Sequence, residues 1–113
     1  MLMNLLIVED NASMRRLIRS VVADLAVNIH ECDDGSEALA AYEAYNPEWV
    51  VMDVEMKIKD GLTATREIIA SHPEANILIL TQNGSDRLRK QAEKAGAARF
   101  VLKEDLMTIR QIH

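Results

Sequence analysis

One cysteine, two prolines and four glycines in 113 residues leave several architectures without their usual materials. Cys32 alone has no internal disulfide partner. It closes an apparent strand, where a buried and inert thiol is the expected state. No Pro/Gly/Ser-rich linker, low-complexity tract or internal repeat divides the chain, and its length bounds it to one domain with a single core. No long apolar run follows a charged amino-terminal region, so nothing reads as a signal peptide or membrane span, and a reducing cytoplasm is the expected compartment. Positive charge is also scarce: 13 Lys and Arg face 18 Asp and Glu, a net −5 that argues against direct nucleic-acid binding by this segment. His30, His72 and His113 share no spacing with one another or with Cys32 that suits zinc, and read as structural or surface residues.

What remains is ordinary globular material, 49% hydrophobic and 27% charged, arranged in strict strand and helix alternation. Such alternation predicts βα units and a parallel sheet. The first strand, Asn4 to Val8, is apolar from Leu5 onward, as a central strand covered on both faces should be. Met14, Leu17, Ile18, Val21, Val22 and Leu25 follow one helical face. Val27 to Cys32 alternates apolar with polar and suits a sheet edge. Asp34-Gly35-Ser36 then supplies a turn with Ser36 as N-cap, followed by a buried stripe of Ala38, Leu39, Tyr42 and Tyr45. A third strand runs from about Glu48 to Asp53. The next helix starts after Gly61, carries Leu62, Arg66, Ile68 and Ile69, and stops before Pro73 with His72 at its end. Ile77 to Leu80 is the fourth strand. Ser85 or Asp86 caps a fourth helix with a thin apolar face of Leu88, Ala92 and Ala95, and Gly96 ends it in a left-handed conformation. Arg99 to Leu102 is the fifth strand, and Leu106, Ile109 and Ile112 mark a short final helix. The methionines, Met14, Met52, Met56 and Met107 among them, are expected as core filling.

Four of the apolar runs end in residues suited to phosphoryl chemistry: Glu9 and Asp10, Asp53, Thr81, and Lys103. If these runs are parallel neighbours, their carboxyl ends share one edge, where open α/β sheets bind ligands. Taken singly, each residue has a plain reading. Glu9-Asp10 can cap a helix, Asp53 can be a solvated carboxylate, Thr81 a β-prone residue, Lys103 a surface charge and Phe100 a core aromatic. Together they describe one site.

The pattern resembles the receiver domain of bacterial two-component response regulators over essentially the whole chain. The stretch Val8-Glu9-Asp10-Asn11-Ala12-Ser13-Met14-Arg15-Arg16-Leu17 is similar to the chemotaxis regulators of that family. The resemblance implies a flavodoxin-like, doubly wound α/β fold with five parallel strands in the order 2-1-3-4-5 and five helices. It implies an acidic pair in Glu9 and Asp10, a phosphoacceptor in Asp53, the Asp60-Gly61 turn after it, a switch hydroxyl in Thr81, a switch aromatic in Phe100 and the family lysine in Lys103. Three converging carboxylates repel one another unless a cation neutralises them. Mg²⁺, which prefers oxygen ligands, suits Glu9, Asp10 and Asp53 with the Glu55 backbone carbonyl that the family places beside them. The implied partners are a sensor histidine kinase or phosphotransfer protein as donor and an output domain or downstream protein as target. Phosphorylation-driven homodimerisation through the surface over the fourth helix, fifth strand and fifth helix is a further expectation.

Three residues depart from the family pattern. Glu104 replaces the usual Pro after the lysine, so Lys103-Glu104 is either a strained cis bond or trans with Lys103 reaching the phosphoryl by another path. Lys57 stands where Pro is usual and loosens the loop after Asp53, and Gln82 replaces a small residue and narrows access to Asp53. These leave open a receiver-like interaction module that works without phosphorylation. A small Mg²⁺-dependent phosphatase is a third reading, with Asp53-Val54-Glu55 only partly matching its paired acids. The last helix is shorter than receivers usually have, so the chain is expected to be a fragment preceding an output domain.

Overall fold

A computed structural model describes residues 3–56 and 59–112. Strands and helices alternate along it: β1 (Met3–Val8), α1 (Ala12–Val22), β2 (Ala26–Cys32), α2 (Ala38–Tyr45), β3 (Trp49–Asp53), α3 (Gly61–Ser71), β4 (Ile77–Thr81), α4 (Asp86–Ala95), β5 (Arg99–Leu102) and a C-terminal 3₁₀ segment, Lys103–Gln111. The five strands are all parallel and lie in the order β2-β1-β3-β4-β5. Five helical segments cross between and beyond them, giving the flavodoxin-like receiver fold. Val8 pairs with Met52, Asp53 with Leu80 and Thr81 with Leu102, so the carboxyl ends of the inner strands finish level. That register turns four sequence positions scattered over 95 residues of chain into one edge.

The expected single core is divided by the sheet into two. Because strand side chains alternate between faces, Leu6, Val8, Met52 and Ile79 pack toward α2, α3 and α4. Leu5, Ile7, Val51 and Leu80 pack on the other face, toward α1 and the C-terminal segment. β1 lies between β2 and β3, paired with β3 from Leu5 to Val8, as its apolar run demanded, and β2 lies at the edge. Asn11, Asp60 and Ser85 each accept the N–H three residues on and so cap α1, α3 and α4; Ser85, not Asp86, is the α4 cap. Gly96 ends α4 at φ 101, a backbone region open to glycine at little cost. α4 buries Leu88, Ala92 and Ala95, the thin face its sequence predicts.

Several local expectations need correction. Ser36 is not an N-cap: it sits within a 3₁₀ turn, Gly35–Glu37, and its hydroxyl donates to Asp34 Oδ2 at 2.5 Å. Leu17 is 47% exposed, because it lies about 100° around the helix from the buried Ile18, beyond the margin of the stripe. Tyr45 is 45% exposed: as the last residue of α2 it swings outward and its ring stacks flat on His30, centroids 3.6 Å apart. Met107 is 64% exposed and fills no core, whereas Met52 and Met56 do. The short final helix expected from Leu106, Ile109 and Ile112 is present, of 3₁₀ type and interrupted at Asp105 (φ −106°, ψ 32°). Its apolar residues fall at intervals of three, which a helix of about three residues per turn aligns on one face. Ile109 and Ile112 are buried there, and Arg110 holds the segment to α1 through Asp24 at 2.6 and 3.0 Å and the Val21 carbonyl at 2.9 Å. Lys57 and His113 lie outside the described residues.

Candidate functional site

The end of β1 delivers Glu9, the end of β3 Asp53 and the end of β4 Thr81, all buried, and Lys103 follows β5 directly. Glu9, half-buried Asp10 and Asp53 bring carboxylate oxygens within 4.8 Å of one another. Into this cluster Lys103 extends its ammonium, 3.2 Å from Glu9 Oε1 and 3.1 Å from Asp53 Oδ1. The contacts are at ion-pair range without hydrogen-bond alignment, and among the described residues the buried Asp53 Oδ2 has no hydrogen-bond partner. The Lys103-Glu104 peptide is trans, so the lysine reaches both carboxylates without a cis bond.

Electrostatics follow from this crowding. Burial, and then the neighbouring Asp53 charge, push the Glu9 pKa up to about 7, while the Asn11 N–H and Lys103 act against the rise. Asp53 is also raised, by burial, with Lys103 opposing. For Lys103, burial works against the charge, but Asp53 and Glu9 outweigh it and hold the ammonium above its ordinary pKa. The cluster holds more negative charge than one ammonium satisfies. Three hard oxygen donors, one of them with an orphaned buried atom, fit a divalent cation such as Mg²⁺, which takes carboxylates and keeps waters.

Around this centre, Gly61 packs so closely on β3 that a Cβ there would fall 1.9 Å from the Asp53 carbonyl oxygen. Thr81 donates its hydroxyl to Glu55 Oε1 at 3.2 Å and accepts the Asn83 N–H at 3.1 Å. Phe100 is half-buried at the α4 side, with the Arg89 guanidinium 4.4 Å over its ring. Gln82 is exposed. A cleft bordered by Asp10, Val54, Glu55, Met56 and Arg66 opens beside the carboxylates.

Three participants escaped the reading of the sequence. Arg15, named in the sequence as part of the family-like stretch, donates to the Glu9 carbonyl at 2.8 Å and pairs with Glu31. The Glu55 side chain, considered for its backbone carbonyl, touches Thr81. Arg89 covers Phe100. All three act across elements, and a one-dimensional pattern of periodicity carries no signal for such contacts.

The family profile of the response regulator receiver domain matches residues 5–112. The chain belongs to the response regulator receiver domain family. Among curated proteins, chemotaxis protein CheY of Halobacterium salinarum is 37% identical over 98 residues, covering 87% of this chain and 82% of that protein. Among solved structures, a LuxR-family two-component response regulator from Aurantimonas superposes with a TM-score of 0.92 at 28% identity, covering 98% of this receiver and 81% of that chain. The CheX–CheY–BeF3–Mg²⁺ complex from Borrelia burgdorferi superposes at 0.88 with 26% identity, covering 96% and 84% respectively. The receiver is thus a signalling module of two-component systems. Among the described residues no helix is long and apolar enough to cross a membrane.

Proposed function

We propose that this receiver is a phosphoacceptor switch of the cytoplasm, in which Asp53 takes a phosphoryl group from the phosphohistidine of a sensor kinase or phosphotransfer protein. The observation that carries the reading is Asp53 itself: a buried carboxylate with one oxygen that has no hydrogen-bond partner among the described residues and a lysine ammonium 3.1 Å from the other. An oxygen of that carboxylate attacks phosphorus, the bond from phosphorus to the donor imidazole nitrogen breaks, and an acyl phosphate forms. Lys103 neutralises charge on the transferred oxygens. Glu9, Asp10, Asp53 and the Glu55 carbonyl would hold Mg²⁺, which when bound offsets phosphoryl and carboxylate charge.

The product adds about 1.5 to 2 negative charges and three acceptor oxygens. Thr81 donates its hydroxyl to one of them, and the space it leaves is taken by Phe100. The surface of α4, β5 and the C-terminal segment changes with that rearrangement, and an output domain, a downstream protein or a second copy reads it. Incubation with Mg²⁺ and acetyl phosphate tests the proposal by intact mass. A single phosphoryl adduct, absent from Asp53→Asn and from metal-free protein, is expected. Failure of the folded, Mg²⁺-binding protein to gain mass overturns it in favour of an interaction module that works without phosphorylation.

A further inference from the structure

A threonine hydroxyl has one hydrogen to give. In Thr81 that hydrogen is already committed: it goes to Glu55 Oε1 at 3.2 Å, while the oxygen is engaged by the Asn83 N–H at 3.1 Å. Thr81 is fully buried and Glu55 is exposed, so the bond ties the inner end of β4 to the mouth of the site. Glu55 lies two residues beyond Asp53, and its backbone and side chain therefore have separate parts to play.

We infer that the Glu55 side chain is a positioning residue that holds the Thr81 hydroxyl in the resting state and has to release it before the switch can turn. This rests on the phosphoacceptor reading above. One hydrogen cannot serve the Glu55 carboxylate and a phosphoryl oxygen together, so the two bonds exclude each other. A phosphoryl on Asp53 acts on both ends of the contact. It offers the hydroxyl a strong charged acceptor, and it sets fresh negative charge near the Glu55 carboxylate, which weakens the older bond. The phosphoryl group thus has different free energies in the held and released states, which is the condition for it to shift their populations. Glu55 sets how far the unmodified domain rests on the held side.

Beryllofluoride, a stable phosphoryl mimic, is titrated with saturating Mg²⁺ into the full chain and followed by amide NMR shifts. The variants are Glu55→Ala and Glu55→Gln, each in the natural and the Thr81→Val background, with Thr81→Ala as a second background should the valine fold poorly. Loss of the holding bond is expected to tighten the mimic about tenfold in Glu55→Ala. Glu55→Gln keeps an acceptor oxygen without charge and falls closer to the natural protein. In the Thr81→Val background both substitutions lose most of that effect and differ little from each other, since the hydroxyl they act through is gone and only direct charge repulsion remains. Equal tightening in both backgrounds, or identical behaviour of Ala and Gln, reveals plain charge repulsion and overturns the inference. A folded natural protein that never takes the mimic overturns the phosphoacceptor reading itself, and the inference with it.

Discussion

Lys103 Nζ stands 3.1 Å from Oδ1 of Asp53, the carboxylate proposed as phosphoacceptor. The same ammonium spans to Glu9, so it holds the acidic cluster together and stands where phosphoryl charge would develop in the proposed transfer. Lys103→Met keeps the length of the stem and removes the charge. Phosphorylation by acetyl phosphate is expected to slow by about 10²-fold or more, the scale set by loss of one preorganised charge-stabilising group. Phosphorylation at the natural rate would show that Lys103 has no part in the transfer.

The metal-free protein should lose stability as pH rises through the neutral range. Glu9 titrates at about 7 in the folded chain against an ordinary 4.5, so between those values the folded state holds more protons than the unfolded one. Stability then falls with increasing pH, by on the order of 2 kcal/mol across the window. The raised pKa of Asp53 acts in the same direction. Urea unfolding at pH 5 and pH 7.5 measures the slope, and saturating Mg²⁺ should flatten it by favouring the ionised carboxylates. A slope that Mg²⁺ leaves untouched counts against the carboxylate cluster as its site.

Gly61→Ala places a methyl group 1.9 Å from the Asp53 carbonyl oxygen, against backbone that has little room to yield. The expected cost is about 2 to 3 kcal/mol of overpacking, together with slower phosphorylation because the displaced group carries the acceptor. Thermal unfolding and acetyl phosphate kinetics read the two effects. A neutral substitution would mean that the start of α3 and the end of β3 separate readily.

Thr65, in the middle of α3, is fully buried, and among the described residues its hydroxyl has no hydrogen-bond partner. Thr65→Val preserves shape and removes the unsatisfied group, so a gain of about 1 kcal/mol is expected from denaturant midpoints. A loss of similar size would reveal a partner for the hydroxyl in solution.

The fold and the carboxylate centre were legible because they depend on local pattern. Unbroken apolar runs announced paired strands, and the polar residue ending each run landed on one shared edge of the sheet. Glu9, Asp10, Asp53 and Lys103 meet in consequence of strand order and register alone. Ser85 and Gly96 were equally readable, since a cap satisfies neighbours a few residues away. Leu17, Tyr45 and Met107 were misjudged because hydrophobic spacing marks a face without marking its width or its end. The last helix winds as 3₁₀, a pitch that its apolar residues at every third position suit. Arg15 on Glu9, Arg89 on Phe100 and Glu55 on Thr81 join residues that no period relates, and they emerge only after the chain has folded.

Cys32 is buried at the end of β2, and burial together with the nearby Glu37, Asp33 and Asp34 charges pushes its thiol up to about 11. At neutral pH almost no thiolate is present, and the sulfur is shielded besides. The natural chain therefore offers maleimide reagents a nearly blank background. A single introduced cysteine, such as Lys90→Cys on the exposed face of α4, gives site-selective attachment of a fluorophore or spin label without first deleting the native thiol. The surface expected to report on Asp53 can be watched directly, in a protein whose core has been left intact.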